Sequence, residues 1–116
     1  MTVGSITSGG ASVGAPTPGE AADSDSPALF GLGGKNTPIY SVCWDGDQVG
    51  YYHWNLDGSG NFSDYIDVND CALQRLGAGP QDRQRVIAHE MGHAAGLHHS
   101  SDPSNIMYPV ITMNGT

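Results

Sequence analysis

Basic side chains are scarce in this sequence. Its 116 residues include only four lysines and arginines against 12 aspartates and glutamates, which gives a net charge of −8 at neutral pH. A chain with this balance repels polyanions. We therefore expect neither nucleic acid nor an anionic membrane surface as a partner.

Long apolar runs are also lacking. No segment approaches the roughly 20 apolar residues that a membrane-spanning helix needs. The first thirty residues lack the basic start and the apolar centre that are typical of a secretory signal peptide. The sequence therefore predicts no membrane span and no signal peptide in this chain.

Large apolar side chains are few in residues 1–38, where glycine, serine, threonine and proline dominate. Such a segment cannot bury enough surface to offset the loss of backbone entropy. We predict a disordered tail over residues 1–38 and one folded domain over residues 39–116. A domain of this size has a marginal apolar core and commonly needs a metal ion or a disulfide.

The chain contains only two cysteines, Cys43 and Cys71. An even number in a small acidic chain favours one disulfide and an oxidising compartment. Two buried thiols are the alternative, because sequence spacing alone does not establish the geometry of a bridge.

Three extended segments precede the most informative part of the chain. β-branched and aromatic residues predict strands at residues 39–44, 49–54 and 62–69. Residues 55–61 form a turn cluster between the last two strands. This cluster carries three residues that resemble the opening of a calcium loop, but the glycine and glutamate that complete such a loop are missing, so calcium is a weak alternative to a hairpin turn: Asp57, Ser59 and Asn61.

A single helix is predicted over residues 83–95, with Asp82 as its N-cap and Gly96 as the residue that ends it. The remainder of the chain has no regular pattern. The sequence therefore predicts an α+β fold in which a short twisted sheet packs on one helix, followed by a long irregular C-terminal loop.

Three histidines lie in and just after this helix, in the segment HEMGHAAGLHH of residues 89–99. His89 and His93 are one helical turn apart, so both imidazoles can face one ion. Gly96 allows a sharp turn, and His99 follows three residues later. A catalytic zinc ion takes three protein ligands and keeps a fourth position open, and neutral imidazole suits it. We predict a zinc site at His89, His93 and His99.

Glu90 directly follows the first of these histidines. A carboxylate there lies beside the metal and can accept a proton from water that the metal activates. The alternative is a helix with two ordinary histidines. Another zinc architecture, with a glutamate as the third ligand, is excluded because no glutamate follows Glu90.

The segment from His89 to His99 resembles the metzincin signature of zinc peptidases. The residues after it, with Ser100 behind the third histidine and Met107 opening a Met-Tyr-Pro turn, resemble the matrixin branch and its small bacterial-type members. The resemblance implies a metzincin-like core in which Met107 packs beneath the zinc ligands. It also implies that residues 109–111 wall the pocket for a substrate side chain, and that residues 65–69 form the strand to which the substrate adds.

The resemblance implies a secreted metalloendopeptidase that uses one catalytic zinc ion, acts on peptides or proteins and is a monomer. The alternative is a truncated or inactive, zinc-stabilised structural module, since the family's long helix behind the sheet and its final helix are not predicted here. Three further side chains are not expected to bind the metal: His98, which breaks the spacing, His53, which is expected at the surface, and Tyr108, which follows Met107 too closely.

Overall fold

A computed structural model describes residues 13–14 and 36–116 of the chain. These residues form four strands and two helices: β1 (Val13–Gly14), β2 (Ile39–Val42), β3 (Gly50–Leu56), β4 (Phe62–Asn69), α1 (Asp70–Arg75) and α2 (Pro80–Ala94). The fold class is α+β, as predicted. Most of the predicted tail lies outside the described residues, so its disorder stays a prediction.

The four strands make one sheet in the order β1-β3-β4-β2. β3 and β4 are antiparallel, β2 runs parallel to β4, and β1 runs parallel to β3. A turn joins β3 to β4, and the carboxylate of Asp57 closes it by accepting hydrogen bonds from the amides of Ser59 at 2.8 Å and Asn61 at 2.9 Å. These bonds are those of a hairpin turn capped by an aspartate.

β4 lies inside the sheet, so the prediction that residues 65–69 receive the substrate strand is wrong. The amide of Asn69 donates to the carbonyl of Val49 on one side, and the amide of Ile66 donates to the carbonyl of Pro38 on the other, both at 2.9 Å. Strand addition needs an edge with open backbone groups. Both sides of β4 are already paired, which the alternating pattern of its sequence could not reveal.

The prediction of a single helix is also wrong, because α1 follows β4 directly. The side chain of Asn69 caps its start by accepting from the amide of Ala72 at 3.3 Å. A disulfide between Cys43 and Cys71 ties this helix to the residue after β2, with 4.9 Å between the two Cα atoms. The bridge confirms the disulfide interpretation over that of two buried thiols.

α2 begins at Pro80, with Gly79 rather than Asp82 as its N-cap. Proline is favoured in the first turn because its missing N–H needs no partner there. Asp82 lies in the first turn and accepts a hydrogen bond from the amide of Gly79 at 2.9 Å. No helix among the described residues is long and apolar enough to cross a membrane.

The apolar core lies where α2 packs against β3 and β4. Its buried members come from the inner face of the sheet, from both helices and from the C-terminal segment: Val49, Tyr52, Ile66, Val68, Ala72, Leu73, Val86, Ala94, Ile111 and Met113. Glu90 lies on the face of α2 that packs against β3, and His89 and His93 are buried with it.

Candidate metal centre

Two of the predicted ligands lie one turn apart on α2. His89 and His93 are 1% and 0% exposed, and their ring centroids are 4.9 Å apart. Side chains four residues apart in a helix lie one above the other. Both imidazoles are therefore fixed on the same buried face.

Gly96 ends α2 and returns the chain toward these two rings. It has a φ of +100°, which a glycine adopts without strain. The amide of Leu97 donates to the carbonyl of Gly92 at 2.9 Å, and the amide of Gly96 donates to that of His93 at 3.0 Å, as in a Schellman motif. The reversal places the ring centroid of His99 4.7 Å from that of His93 and 5.3 Å from that of His89.

Backbone carbonyls fix which nitrogen each helical histidine presents. The Nδ1 atom of His89 lies 2.8 Å from the carbonyl oxygen of Ile106, and that of His93 lies 2.9 Å from the carbonyl oxygen of Leu97. A carbonyl only accepts, so both Nδ1 atoms carry the proton and donate. The Nε2 atoms are then the ones with lone pairs to offer, an arrangement common among metal-binding histidines.

The donor set fits one metal ion. One ligand nitrogen from each of the three histidines lies within 4.8 Å of the others. The Nε2 atoms of His93 and His99 are 3.1 Å apart, close to the roughly 3.3 Å that separates two nitrogens bound to one tetrahedral zinc ion. Burial, and next the neighbouring His89 and His99, lower the pKa of His93 to about 3, so its imidazole is in the neutral form that binds metals.

Glu90 is fully buried where α2 meets the start of β3. A Cβ atom at Gly50 would lie 2.9 Å from Oε2 of Glu90 and 2.7 Å from a methyl carbon of Val86. The missing side chain of Gly50 therefore makes room for the carboxylate. Sequence analysis did not single out Gly50, because its contact with Glu90 joins segments 40 residues apart.

Met107 packs against α2 at Gly92. A Cβ atom at Gly92 would lie 2.4 Å from its sulfur atom, so the glycine allows the close approach. Met107 is 4% exposed, and its carbonyl accepts from the amide of Ser100 at 3.0 Å, which closes the loop that follows His99. Its packing beneath the zinc ligands stays a prediction.

The other histidines lie elsewhere. His98 is not part of the group of three, so within the described residues the register of the turn brings His99 and not its neighbour to the centre. His53 lies on the outer face of the sheet, where its ring stacks on Tyr65 at 4.3 Å and its Nε2 atom is 2.8 Å from Asp67.

A cavity of about 290 Å³ opens beside His89. Its lining includes Val110 and Ile111 from the predicted wall of residues 109–111, as well as residues that sequence analysis missed. Among these is Arg85, whose guanidinium donates to the carbonyl of Thr112 at 2.5 Å. The full lining is drawn from α2 and from the C-terminal loop: Arg85, His89, Pro103, Ser104, Asn105, Ile106, Tyr108, Val110, Ile111 and Thr112.

Three imidazoles converge from a helix and the turn after it, with a buried carboxylate next to the first of them, and such a donor set could hold one metal ion. The matrixin family model matches residues 44–116, and the chain belongs to the matrixin family.

Two curated relatives match a short stretch of the chain. Matrilysin from Felis catus is 62% identical over 24 residues, which are 21% of this chain and 9% of that protein. Matrix metalloproteinase-20 from Homo sapiens is 71% identical over 24 residues, which are 21% of this chain and 5% of that protein. The chain thus covers less than a tenth of the length of either relative in these matches. No solved structure matches the chain.

Proposed function

We propose that this protein is a secreted zinc-dependent endopeptidase that hydrolyses peptide bonds in proteins. His89, His93 and His99 hold the zinc ion, and Glu90 is the general base. The observation that carries the proposal is the convergence of three imidazole nitrogens within 4.8 Å, with the buried Glu90 next to the first of them. Zinc bound there would polarise the scissile carbonyl and lower the pKa of water.

Glu90 accepts and then returns the proton that the reaction transfers. Its carboxylate accepts a proton from the attacking water as the water oxygen bonds to the scissile carbonyl carbon. It then returns the proton to the amide nitrogen as the C–N bond breaks, so that a carboxylate and an amine are formed. The space that Gly50 leaves for this carboxylate in the packed interface between α2 and β3 supports the role.

The substrate adds to the sheet at β3. The amide of Asn69 donates to Val49, so the backbone groups of the next residue, Gly50, face away from β4 toward the edge. Gly50 also lies against Glu90. A peptide that pairs with this edge brings its scissile bond to the base, and the side chain after that bond enters the cavity beside His89.

The disulfide between Cys43 and Cys71 supports secretion, since such bridges persist in oxidising compartments. Membership of the matrixin family agrees with it.

Hydrolysis of a quenched fluorescent peptide library by the zinc-loaded chain tests the proposal. We expect cleavage that stops with a hydroxamate or a chelator and returns when zinc is added. Stoichiometric zinc binding without cleavage of any peptide or of casein would contradict the proposal and favour a zinc-stabilised structural module. The cleavage products also report which side chain enters the cavity.

A further inference from the structure

The outer face of the sheet carries a row of aromatic rings that crosses β3, β4 and β2 and that the proposed metal site does not use. The ring centroid of His53 lies 4.3 Å from that of Tyr65 and 4.8 Å from that of Tyr51. The ring centroid of Tyr65 lies 5.8 Å from that of Tyr40. His53 is paired with Tyr65 across β3 and β4. Tyr40 is paired with Asp67, which is two residues after Tyr65 and therefore on the same face of β4, so the strand register places these rings side by side.

The rings at the β2 end of this row are open to solvent. Tyr40 is 53% exposed and Tyr65 is 39% exposed, whereas Ile66, the neighbour of Tyr65 in β4, is fully buried on the opposite face. Nε2 of His53 donates to the buried carboxylate of Asp67 at 2.8 Å, which fixes the imidazole that stacks on Tyr65. Contiguous exposed apolar patches mark interaction sites on proteins. The row is therefore a surface that can receive a partner.

The charges on the sheet favour a cationic partner. β2, β3 and β4 contain no lysine or arginine, and their acidic residues are Asp64 and Asp67. In the described part of the chain the basic residues lie on the helices, where each guanidinium already binds a carboxylate or backbone carbonyls: Arg75, Arg83 and Arg85. The whole chain carries a net charge of −8. A cation is therefore attracted to this face and meets no basic residue of these strands there.

We propose that this outer aromatic face, made of Tyr40, Tyr65, His53 and Asp67, is a docking surface for an arginine-rich segment of a polypeptide. The face of a tyrosine ring attracts a cation. Arginine suits such rings better than lysine, because its planar guanidinium stacks on them and is less strongly hydrated than an ammonium group. The inference stands apart from the proposed hydrolysis, since Glu90 lies against α2 on the other side of the sheet. In a peptidase such a surface would select basic proteins without contact with the scissile bond.

Binding of a labelled peptide to the zinc-loaded full chain tests the inference. The probe alternates arginine with glycine and is built from D-amino acids, so that a peptidase does not consume it. Probes with lysine or glutamate in place of arginine are the comparisons. In fluorescence polarisation at physiological ionic strength, we expect the arginine probe to bind most tightly, the lysine probe more weakly and the glutamate probe not measurably.

Two double variants test the role of the rings. Tyr40→Leu with Tyr65→Leu keeps apolar side chains but removes the rings. An exposed cation–π contact changes affinity by about two- to fivefold, so this variant should bind the arginine probe about 4- to 25-fold more weakly. Tyr40→Phe with Tyr65→Phe keeps the rings and should bind as the wild type does. Leu56→Ala is the matched control, since Leu56 is 42% exposed and its position in β3 alternates with that of His53.

Three results would overturn the inference. The first is a wild type that does not bind the arginine probe or binds the glutamate probe equally well, a comparison that does not depend on how any variant folds. The second is undiminished binding of the arginine probe by the leucine variant, with its folding checked by thermal unfolding. The third is a wild type that self-associates in sedimentation velocity and a leucine variant that does not, which would assign the face to a second copy of the chain. The proposed hydrolysis is tested separately, by the cleavage assay.

Discussion

The two ends of α2 are both polar and buried, but they satisfy their polar groups differently. At the start of the helix, the carboxylate of Asp82 is surrounded by donors of the protein itself. It accepts from the amides of Gly79 at 2.9 Å, Asn114 at 2.9 Å and Gly115 at 2.8 Å, and from Arg85 at 2.6 Å. Near the other end, by contrast, imidazole nitrogens that act as acceptors converge on one another.

The difference distinguishes the polar cluster around Asp82 from the proposed metal site. Burial by itself would raise the pKa of Asp82, but the hydrogen bonds from Asn114, Gly79, Arg85 and Gly115 outweigh it and lower the pKa to about 2. The protein thus stabilises a charge there. At His93 burial and the neighbouring histidines disfavour charge. A cation binds where neutral acceptor atoms converge, so the cluster of histidines is suited to bind one and the cluster around Asp82 is not.

The largest effect is expected from a change that leaves the metal ligands intact. Glu90→Gln keeps the shape of the side chain but removes the proton acceptor. General acid–base catalysis contributes about 10²- to 10⁴-fold to rates, so kcat should fall by that factor while zinc stays stoichiometric. Steady-state kinetics with metal analysis of the same sample measures both. Near-normal activity of zinc-loaded Glu90→Gln would remove Glu90 from the mechanism.

The register of the third ligand gives the next largest effect. His99→Ala takes one nitrogen out of the group of three and should weaken zinc binding by well over 100-fold. His98→Ala is the matched control and should weaken it by no more than about 10- to 100-fold, the range for residues that only support a ligand. Competitive titration against a chelator measures both affinities. A larger loss of zinc affinity in His98→Ala than in His99→Ala would show that His98, and not His99, is the third ligand.

The opposite end of α2 should affect stability and not zinc binding. The pKa of Asp82 is about 2 in the folded protein against an ordinary 3.8. Its contribution of about 2 kcal/mol is therefore fully present above about pH 4 and is lost as the pH falls toward 2. We expect Asp82→Asn to lose about that much stability at neutral pH and to flatten the acid limb of the stability curve.

Urea unfolding between pH 2 and 7 measures this dependence, with the exposed Asp45→Asn as the matched control. Zinc affinity at pH 7 should be similar in both variants. An acid limb that is unchanged in Asp82→Asn would show that its hydrogen bonds contribute nothing to folding.

The smallest predicted effect concerns the packing beneath the histidines. Gly92→Ala gains helix propensity but places a Cβ atom 2.4 Å from the sulfur of Met107. Overpacking lowers the free energy of unfolding by about 1–3 kcal/mol, and the higher helix propensity of alanine offsets about 1 kcal/mol of this loss. Thermal unfolding should show a modest loss that Met107→Ala partly relieves in the double variant. Gly58→Ala is the control, since nothing lies within 4 Å of its added carbon. Equal melting temperatures of Gly92→Ala and Gly58→Ala would contradict the close packing.

Local patterns were the part of this molecule that sequence could predict. The relative positions of His89, His93 and His99 depend only on one helix and on the turn that Gly96 makes after it. The structure brings these three rings together. β4 was predicted with its observed bounds, because apolar and polar residues alternate along it, although its last four residues are all buried. α1 was missed because it has only six residues and depends on a disulfide and a cap from the preceding strand.

Non-local contacts account for the errors. Whether β4 lies at an edge depends on β2, which pairs with it from more than 20 residues upstream. The space that Gly50 leaves for Glu90 and the position of Arg85 beside the cavity likewise arise only when distant segments meet. Asp82 was taken for an N-cap because that residue type is common there, but the chain enters the helix earlier, through Gly79 and Pro80.

X-ray absorption spectroscopy of the zinc-loaded full chain tests the proposed site of three histidines, because it identifies the ligands of the metal without reference to activity. We expect one zinc ion per chain with three imidazole nitrogens at about 2.0–2.1 Å, and the loss of one of them in His99→Ala but not in His98→Ala. A chain that binds no stoichiometric zinc, or whose zinc keeps three imidazoles in His99→Ala, would contradict it.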